Sequence, residues 1–278
     1  MKRTLKPIHP PAAIESAYKK KLVGMVRDME KSCLYWLRAK YRQNESQIMD
    51  SATTNMDKEL RRLIAQWKRN FSEFAEDAAD WFAWEIRNYT TRNLAKQLKP
   101  YKELGLGFDL TFEYISRKER QVLKAIIKEN VNLIKSIASE TLTQVEGIVL
   151  RAIQNGNDLA TLTEQLHHQF GVSERRATTI ARDQTAKATN NLSRQRLMDY
   201  GITRGIWMHT AAGKTYRESH VEMDGTEYNI EFGCFDENEG RAIQPAELVN
   251  CRCVCRPIIP AMGEEESGEN IFGEPQTE

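Results

Sequence analysis

Apolar residues recur at three- and four-residue steps from Tyr18 to Leu197, and that period dictates helices rather than strands. The first run places Tyr18, Leu22, Met25, Val26, Met29, Cys33, Trp36 and Leu37 on one helix face. Asn44 to Asn55 is polar and reads as a loop. The second run carries Met56, Leu60, Leu63, Ile64, Trp67, Phe71, Phe74, Ala78, Trp81 and Phe82, and Pro100 is expected to end it. Its aromatic stripe reads as the seam of a helical hairpin, because two amphipathic helices bury such stripes against each other.

Gly105-Leu106-Gly107 then marks a hinge, and Phe108 to Phe112 alternates like a short strand. Arg117 to Glu129 is helical. A further helix holds Leu133, Ile134, Ile137, Leu142, Val145, Ile148, Val149, Ala152 and Ile153 and stops at Asn155-Gly156. Asp158 is placed to cap a short helix with Leu159, Leu162, Leu166 and Phe170, ended by Gly171. His167-His168 falls at the end of that helix. Ser173 is the expected N-cap of the next helix, which carries Ala177, Ile180, Ala181, Ala188, Leu192 and Leu197 and ends at Gly201. Beyond Gly201 the texture changes to short strands at residues 206–209, 227–230 and 253–259. The expected fold is therefore mainly α with a small C-terminal α+β module: a long helical hairpin front, a helical middle and a short-stranded end. The expected division is a basic helical region over 1–114, a second domain over 115–260 and an acidic, disordered tail over 261–278.

The net charge of the 278 residues is only +1, so charge must be read locally. Through Asn44 there are eleven Lys and Arg against three acids, and Pro7, Pro10 and Pro11 keep the leading arm extended. Lys2, Arg3, Lys6, Lys19, Lys20 and Lys21 are the candidate contacts to a polyanion or an acidic protein surface. The tail holds six Glu and no Lys or Arg after Pro260. No apolar run reaches the roughly 20 residues a membrane crossing needs. The basic start lacks the apolar core of a secretory signal, so a cytosolic protein is expected.

Five cysteines, four of them near the C-terminus, suit reduced thiols or a metal better than a disulfide framework. Cys251, Cys253 and Cys255 alternate. With His220, and with Cys234 as a further candidate, they offer a tetrahedral zinc site that would staple a module with little core of its own. The competing reading makes them buried small hydrophobes. His220 and Asp224 offer a general base and its orienting carboxylate, and with Asn250 they suggest a metal-dependent nuclease. Against that, Asp224-Gly225 is a turn signal between strands. Arg175, Arg176, Arg182, Lys187, Arg194 and Arg196 lie along the last long helix, either as a solvated face or as a stripe facing DNA or protein. Arg182-Asp183 is the candidate structural pair at the C-terminal module.

Taken in order, several of these segments resemble the phage head-morphogenesis family, whose members are similar to the Mu F minor head protein. They are Asn130 to Ile137, the helix ending Asn155-Gly156, Ala177-Thr178-Thr179-Ile180-Ala181-Arg182-Asp183-Gln184-Thr185, Trp207, Arg217 with Ser219-His220, Asp224-Gly225 and Asn250-Cys251-Arg252-Cys253. The likeness covers about residues 115 to 260. It implies a non-enzymatic, low-copy minor capsid protein of a tailed bacteriophage or prophage. Such a protein contacts the portal, scaffold or major capsid protein, and packaged DNA is a further candidate partner. It would reside in the virion and, during assembly, in the host cytoplasm. The resemblance marks Arg182, Trp207, Arg217, His220, Asp224, Gly225 and Asn250 as motif positions. Members carry an Asp ahead of Arg-x-x-His after the Trp strand; here that position holds Ala or Gly among Ala211-Ala212-Gly213.

Overall fold

A computed structural model describes residues 3–44, 49–103, 114–155, 159–210 and 216–260. Four long helices dominate it: α1 (Ala12–Asn44), α2 (Met49–Glu103), α3 (Arg117–Asn155) and α4 (Leu159–Asp199). A small module follows, made of β1 (Arg204–Met208), the short helix α5 (Glu218–Glu222), β2 (Glu227–Asn229), β3 (Cys234–Asp236), β4 (Arg241–Ile243) and β5 (Val254–Ile258). The mainly helical fold with a short-stranded C-terminal end is as the periodicity predicts. At 55 residues, α2 runs roughly 80 Å.

The helices pack as a bundle in which α1 and α2 touch each other, while α1 also lies along α4 and α2 along α3. One apolar core runs through all four, from Tyr18 and Phe82, which stack at 4.2 Å, to Phe170, Ala181 and Leu192. Polar layers set the register of this core. The Tyr18 hydroxyl donates to Asn130 Oδ1 at 2.9 Å, and Asn130 Nδ2 donates to Gln184 Oε1 at 3.0 Å, tying α1, α3 and α4 together. Nearer the module, buried Glu119 accepts from Arg87 Nε and Arg196 Nε, each at 3.1 Å, tying α2, α3 and α4. Each partner is shielded from water, so every one needs the others.

Several helix boundaries differ from expectation. Met49 already lies in α2, within the stretch read as a loop, and α2 continues one turn past Pro100 to Glu103. Gly171 does not end a helix, Ser173 is not an N-cap and His167-His168 is not a helix end: α4 runs unbroken through all of them. Phe170 and Ala177 are buried on either side of the break signal, and Ser173 is buried too. The Ser173 hydroxyl contacts Thr141 Oγ1 at 2.8 Å and donates to the Gln169 carbonyl at 3.1 Å, while His167 Nδ1 meets Glu30 Oε1 at 2.7 Å. A mid-helix glycine costs about 1 kcal/mol, far less than the burial flanking it. Residues 117–155 likewise form one helix. The hinge at Gly105–Gly107, the strand at Phe108–Phe112, the Asp158 cap and the acidic tail lie outside the described residues, as does Lys2.

The main sheet is antiparallel in the order β2-β1-β5, and β3 and β4 form a separate pair. The N-terminal arm extends the main sheet. Leu5 N donates to the Pro257 carbonyl and Ile259 N to the Arg3 carbonyl, each at 2.9 Å, around a bridge between Thr4 and Ile258. Pro257 brings no N–H to that edge, and the arm uses its carbonyl. Leu5 and Ile8 then pack with Leu94 and Leu98 of α2, Leu197 of α4, Ile202, Ile230 and Ile259 in a second core. Among the described residues, no helix is long and apolar enough to cross a membrane.

Candidate functional site

The module turns about Asn250, which adopts φ 65°. Asn tolerates this left-handed conformation better than branched residues do. Arg182 Nη2 donates to Asn250 Oδ1, and Asn250 N donates to Asp183 Oδ1 at 2.9 Å. Both Arg217 terminal nitrogens lie 3.3 Å from the Val249 carbonyl, one residue earlier. Asp183 also pairs with Lys187 at 3.0 Å. Residues far apart in the chain thus hold one turn from two sides. Arg182 and Asp183, the expected structural pair at the C-terminal module, both bond Asn250 and dock the turn onto α4.

That turn delivers Cys251 and Cys253. The His220 ring nitrogen Nδ1 lies 3.4 Å from Cys251 Sγ and 3.6 Å from Cys253 Sγ. All three residues are buried. On the other side of the ring, Nε2 lies 3.3 Å from Asp236 Oδ2. This angle is too poor for a good hydrogen bond, so the contact is electrostatic. Asp236 is fully enclosed and accepts from Ser219 Oγ at 3.3 Å and Asn238 N at 2.9 Å. Trp207, also fully enclosed, meets the His220 ring edge-on at 5.4 Å and Tyr228 at 6.1 Å. His209, at the end of β1, brings Nδ1 to 3.7 Å from Cys253 Sγ. The Cys251 thiol is drawn below its ordinary value, first by a hydrogen bond from Cys253 and further by backbone donors and His220. Cys253 is pushed up by the same interaction and by burial.

His220, Cys251 and Cys253 therefore come together. Cys255 does not join them: it faces Gly205 and Tyr228, and burial raises its thiol to about 12. A Cβ at Gly205 would clash with Cys255 Sγ, so a side chain there requires the Cys255 thiol to move. Cys234 is buried in the same core outside the cluster, and its thiol is raised, chiefly by burial. Alternation along one strand fails as a guide because Cys251 and Cys253 precede β5. Asp224 does not orient His220; its carboxylate accepts from His209 N at 2.7 Å. Gly225, at φ 82°, donates its N–H to the Trp207 carbonyl at 2.9 Å, so Asp224-Gly225 joins α5 to β2 rather than two strands. Asp236 and His209 were missed. Asp236 lies in a three-residue strand without a periodic signal, and His209 is a lone histidine.

Most of the cationic stripe on α4 is engaged within the chain. Arg196 is buried on Glu119, Arg176 binds Glu140 and Ser136, Lys187 binds Asp183, and Arg194 reaches the Glu231 carbonyl at 3.4 Å. Arg175 is exposed. At the front, Arg3, Lys6, Lys19, Lys20 and Lys21 are exposed, and Lys21 lies over the Trp81 ring at 4.8 Å. Arg27 is paired with Glu174 at 2.8 Å. Arg3 and Lys6 line an open groove with Lys96, between the arm and the end of α2.

Residues 143–256 match the family model described as Phage Mu protein F like protein. A curated relative from Haemophilus influenzae, described as "Uncharacterized protein", is 32% identical over 137 residues, which is 49% of this chain and 29% of the relative. This chain thus spans less than a third of that relative's length. No solved structure matches it. The matched segment takes in the last third of α3, all of α4 and the module through β5, including the Asn250 turn and the His220 cluster, and over that segment the chain is similar to the Phage Mu protein F-like family.

Proposed function

We propose that the protein is a minor head protein of a tailed bacteriophage or prophage. It acts by binding at the portal vertex during procapsid assembly, with a part in DNA packaging or delivery. The Mu F-like family points to phage head morphogenesis and to contact with other head proteins. The observation that carries the reading is where the family match falls. It covers Arg182 and Asp183, which fasten the Asn250 turn to α4, and Arg217, which holds the same turn from within the module. Groups spent on holding a turn in place build a scaffold, and a scaffold serves by presenting surfaces. The arm groove with Arg3, Lys6 and Lys96 is the surface we assign to an acidic face of the portal, since clustered cations steer such encounters.

Quantitative protein analysis of purified procapsids tests this. The protein should be present at low copy number and vanish from particles assembled without portal. Its complete absence from procapsids and virions overturns the proposal. Reversing the charge of Arg3, Lys6 and Lys96 together should cut incorporation while leaving the helix content unchanged.

A further inference from the structure

We propose that His220 Nδ1, Cys251 Sγ and Cys253 Sγ bind a structural Zn²⁺ ion, with His209 as the fourth ligand and Asp236 holding the His220 ring from outside. Zinc bonds of about 2.1 Å to nitrogen and 2.3 Å to sulfur, set at a tetrahedral angle, put neighbouring donor atoms about 3.6 Å apart. The His220 nitrogen stands 3.4 and 3.6 Å from the two sulfurs, and all three donors lie within 4.8 Å of one another. These three positions lie close to those a bound ion needs.

The surroundings suit it too. Asp236, enclosed and facing Nε2 at 3.3 Å, electrostatically favours a proton on that nitrogen, the tautomer whose Nδ1 lone pair faces the thiols. A carboxylate behind the ring is a common partner of a metal-bound histidine. His209 Nδ1 is 3.7 Å from Cys253 Sγ, again a tetrahedral edge, and the half-buried ring reaches the fourth position by turning about its side-chain bonds. Binding releases the thiol protons to solvent, and the two thiolates and two neutral imidazoles then hold the dication. The ion would join β1, α5 and the Asn250 turn, three segments that share only a small apolar core around Trp207.

The test uses the full chain purified under reducing conditions. Metal analysis should find one Zn²⁺ per chain. Co²⁺ substituted for it should show tetrahedral ligand-field bands with thiolate charge-transfer absorption. These wild-type readings need no variant to fold. Cys251→Ser, Cys253→Ser and His220→Gln should each abolish stoichiometric binding, while Cys255→Ser keeps it. His209→Ala should retain three ligands and bind at least 10-fold more weakly. Asp236→Asn should bind with an affinity reduced roughly 10- to 100-fold. A reduced wild-type chain that takes up neither Zn²⁺ nor Co²⁺ overturns the proposal. So does an octahedral Co²⁺ spectrum without thiolate absorption, or equal loss of binding in Cys255→Ser and Cys251→Ser. His209→Ala binding as tightly as wild type overturns the assignment of the fourth ligand.

Discussion

Asn250 receives the Arg182 guanidinium on its side chain and gives its backbone N–H to Asp183, while its φ stays at 65°. These two roles separate by substitution. Asn250→Gly keeps the turn and loses the side-chain bond, at a cost of about 1 kcal/mol; Asn250→Ala loses the bond and strains the turn, at about 2–3 kcal/mol. Urea midpoints should rank wild type above Gly above Ala, and an Ala variant as stable as the Gly variant would remove the backbone argument. The buried thiols and phenols carry a pH dependence. Burial raises Cys33 and Cys255 to about 12 and lifts Tyr18 and Tyr228 above the ordinary phenol value. In the unfolded chain these groups lose protons near pH 8.5 and 10. The folded form therefore binds more protons above those values. Their contribution is complete below about pH 8.5 and declines as pH rises toward 12, by up to roughly 1.4 kcal/mol per unit for each group. Denaturation at pH 8 and pH 10.5 should show the fall, and Cys33→Ala should flatten it.

Helix α4 is where local signals and packing disagree. Gly171 reads as a stop, yet the helix passes through it with the glycine partly exposed. A Cβ there would meet only the Arg175 guanidinium, at an ordinary 3.7 Å. Gly171→Ala should therefore stabilise the protein by about 0.5–1 kcal/mol, because it removes backbone freedom from the unfolded chain without a clash. A lower melting temperature for this variant would mean that the helix bends there. Gly233 behaves oppositely: with φ 98° and a Cβ position 2.6 Å from the Ile243 carbonyl oxygen, it admits no side chain. Gly233→Ala should cost about 2–4 kcal/mol and open the β3–β4 pair.

Bundle and module are joined through the second core, which draws on the arm, the ends of α2 and α4, and the strands. The arm contributes two buried aliphatic side chains and covers the free edge of β5. Deleting residues 1–10 should lower stability by about 3–6 kcal/mol from Leu5 and Ile8 alone and leave an exposed edge that promotes association. Unfolding midpoints and size-exclusion profiles check both effects. An unchanged midpoint would mean that the arm's packing adds nothing in solution.

The helices, their apolar faces and the change of texture at Gly201 were legible because each depends on residues three or four positions apart. The set of His220 with Cys251 and Cys253 was legible as chemistry, since few residue types can serve, but the backbone that gathers it was not. Cys255 and Cys234 stayed open as further candidates until the Asn250 turn set Cys251 and Cys253 ahead of β5. The convergence of Arg182, Asp183 and Arg217 on that turn joins residues separated by 32 to 68 positions, as does the hold of Arg87 and Arg196 on Glu119 across 32 and 77. No local period encodes such pairs. The proline-containing arm has the same extended sequence whether it lies in water or along a sheet edge. The free backbone groups of Pro257 and Ile259 at the sheet edge, and the apolar surface of the second core, decide that it binds. Local backbone preference and periodicity thus set the elements. Long-range hydrogen bonds and burial, which no short window of sequence contains, set the site.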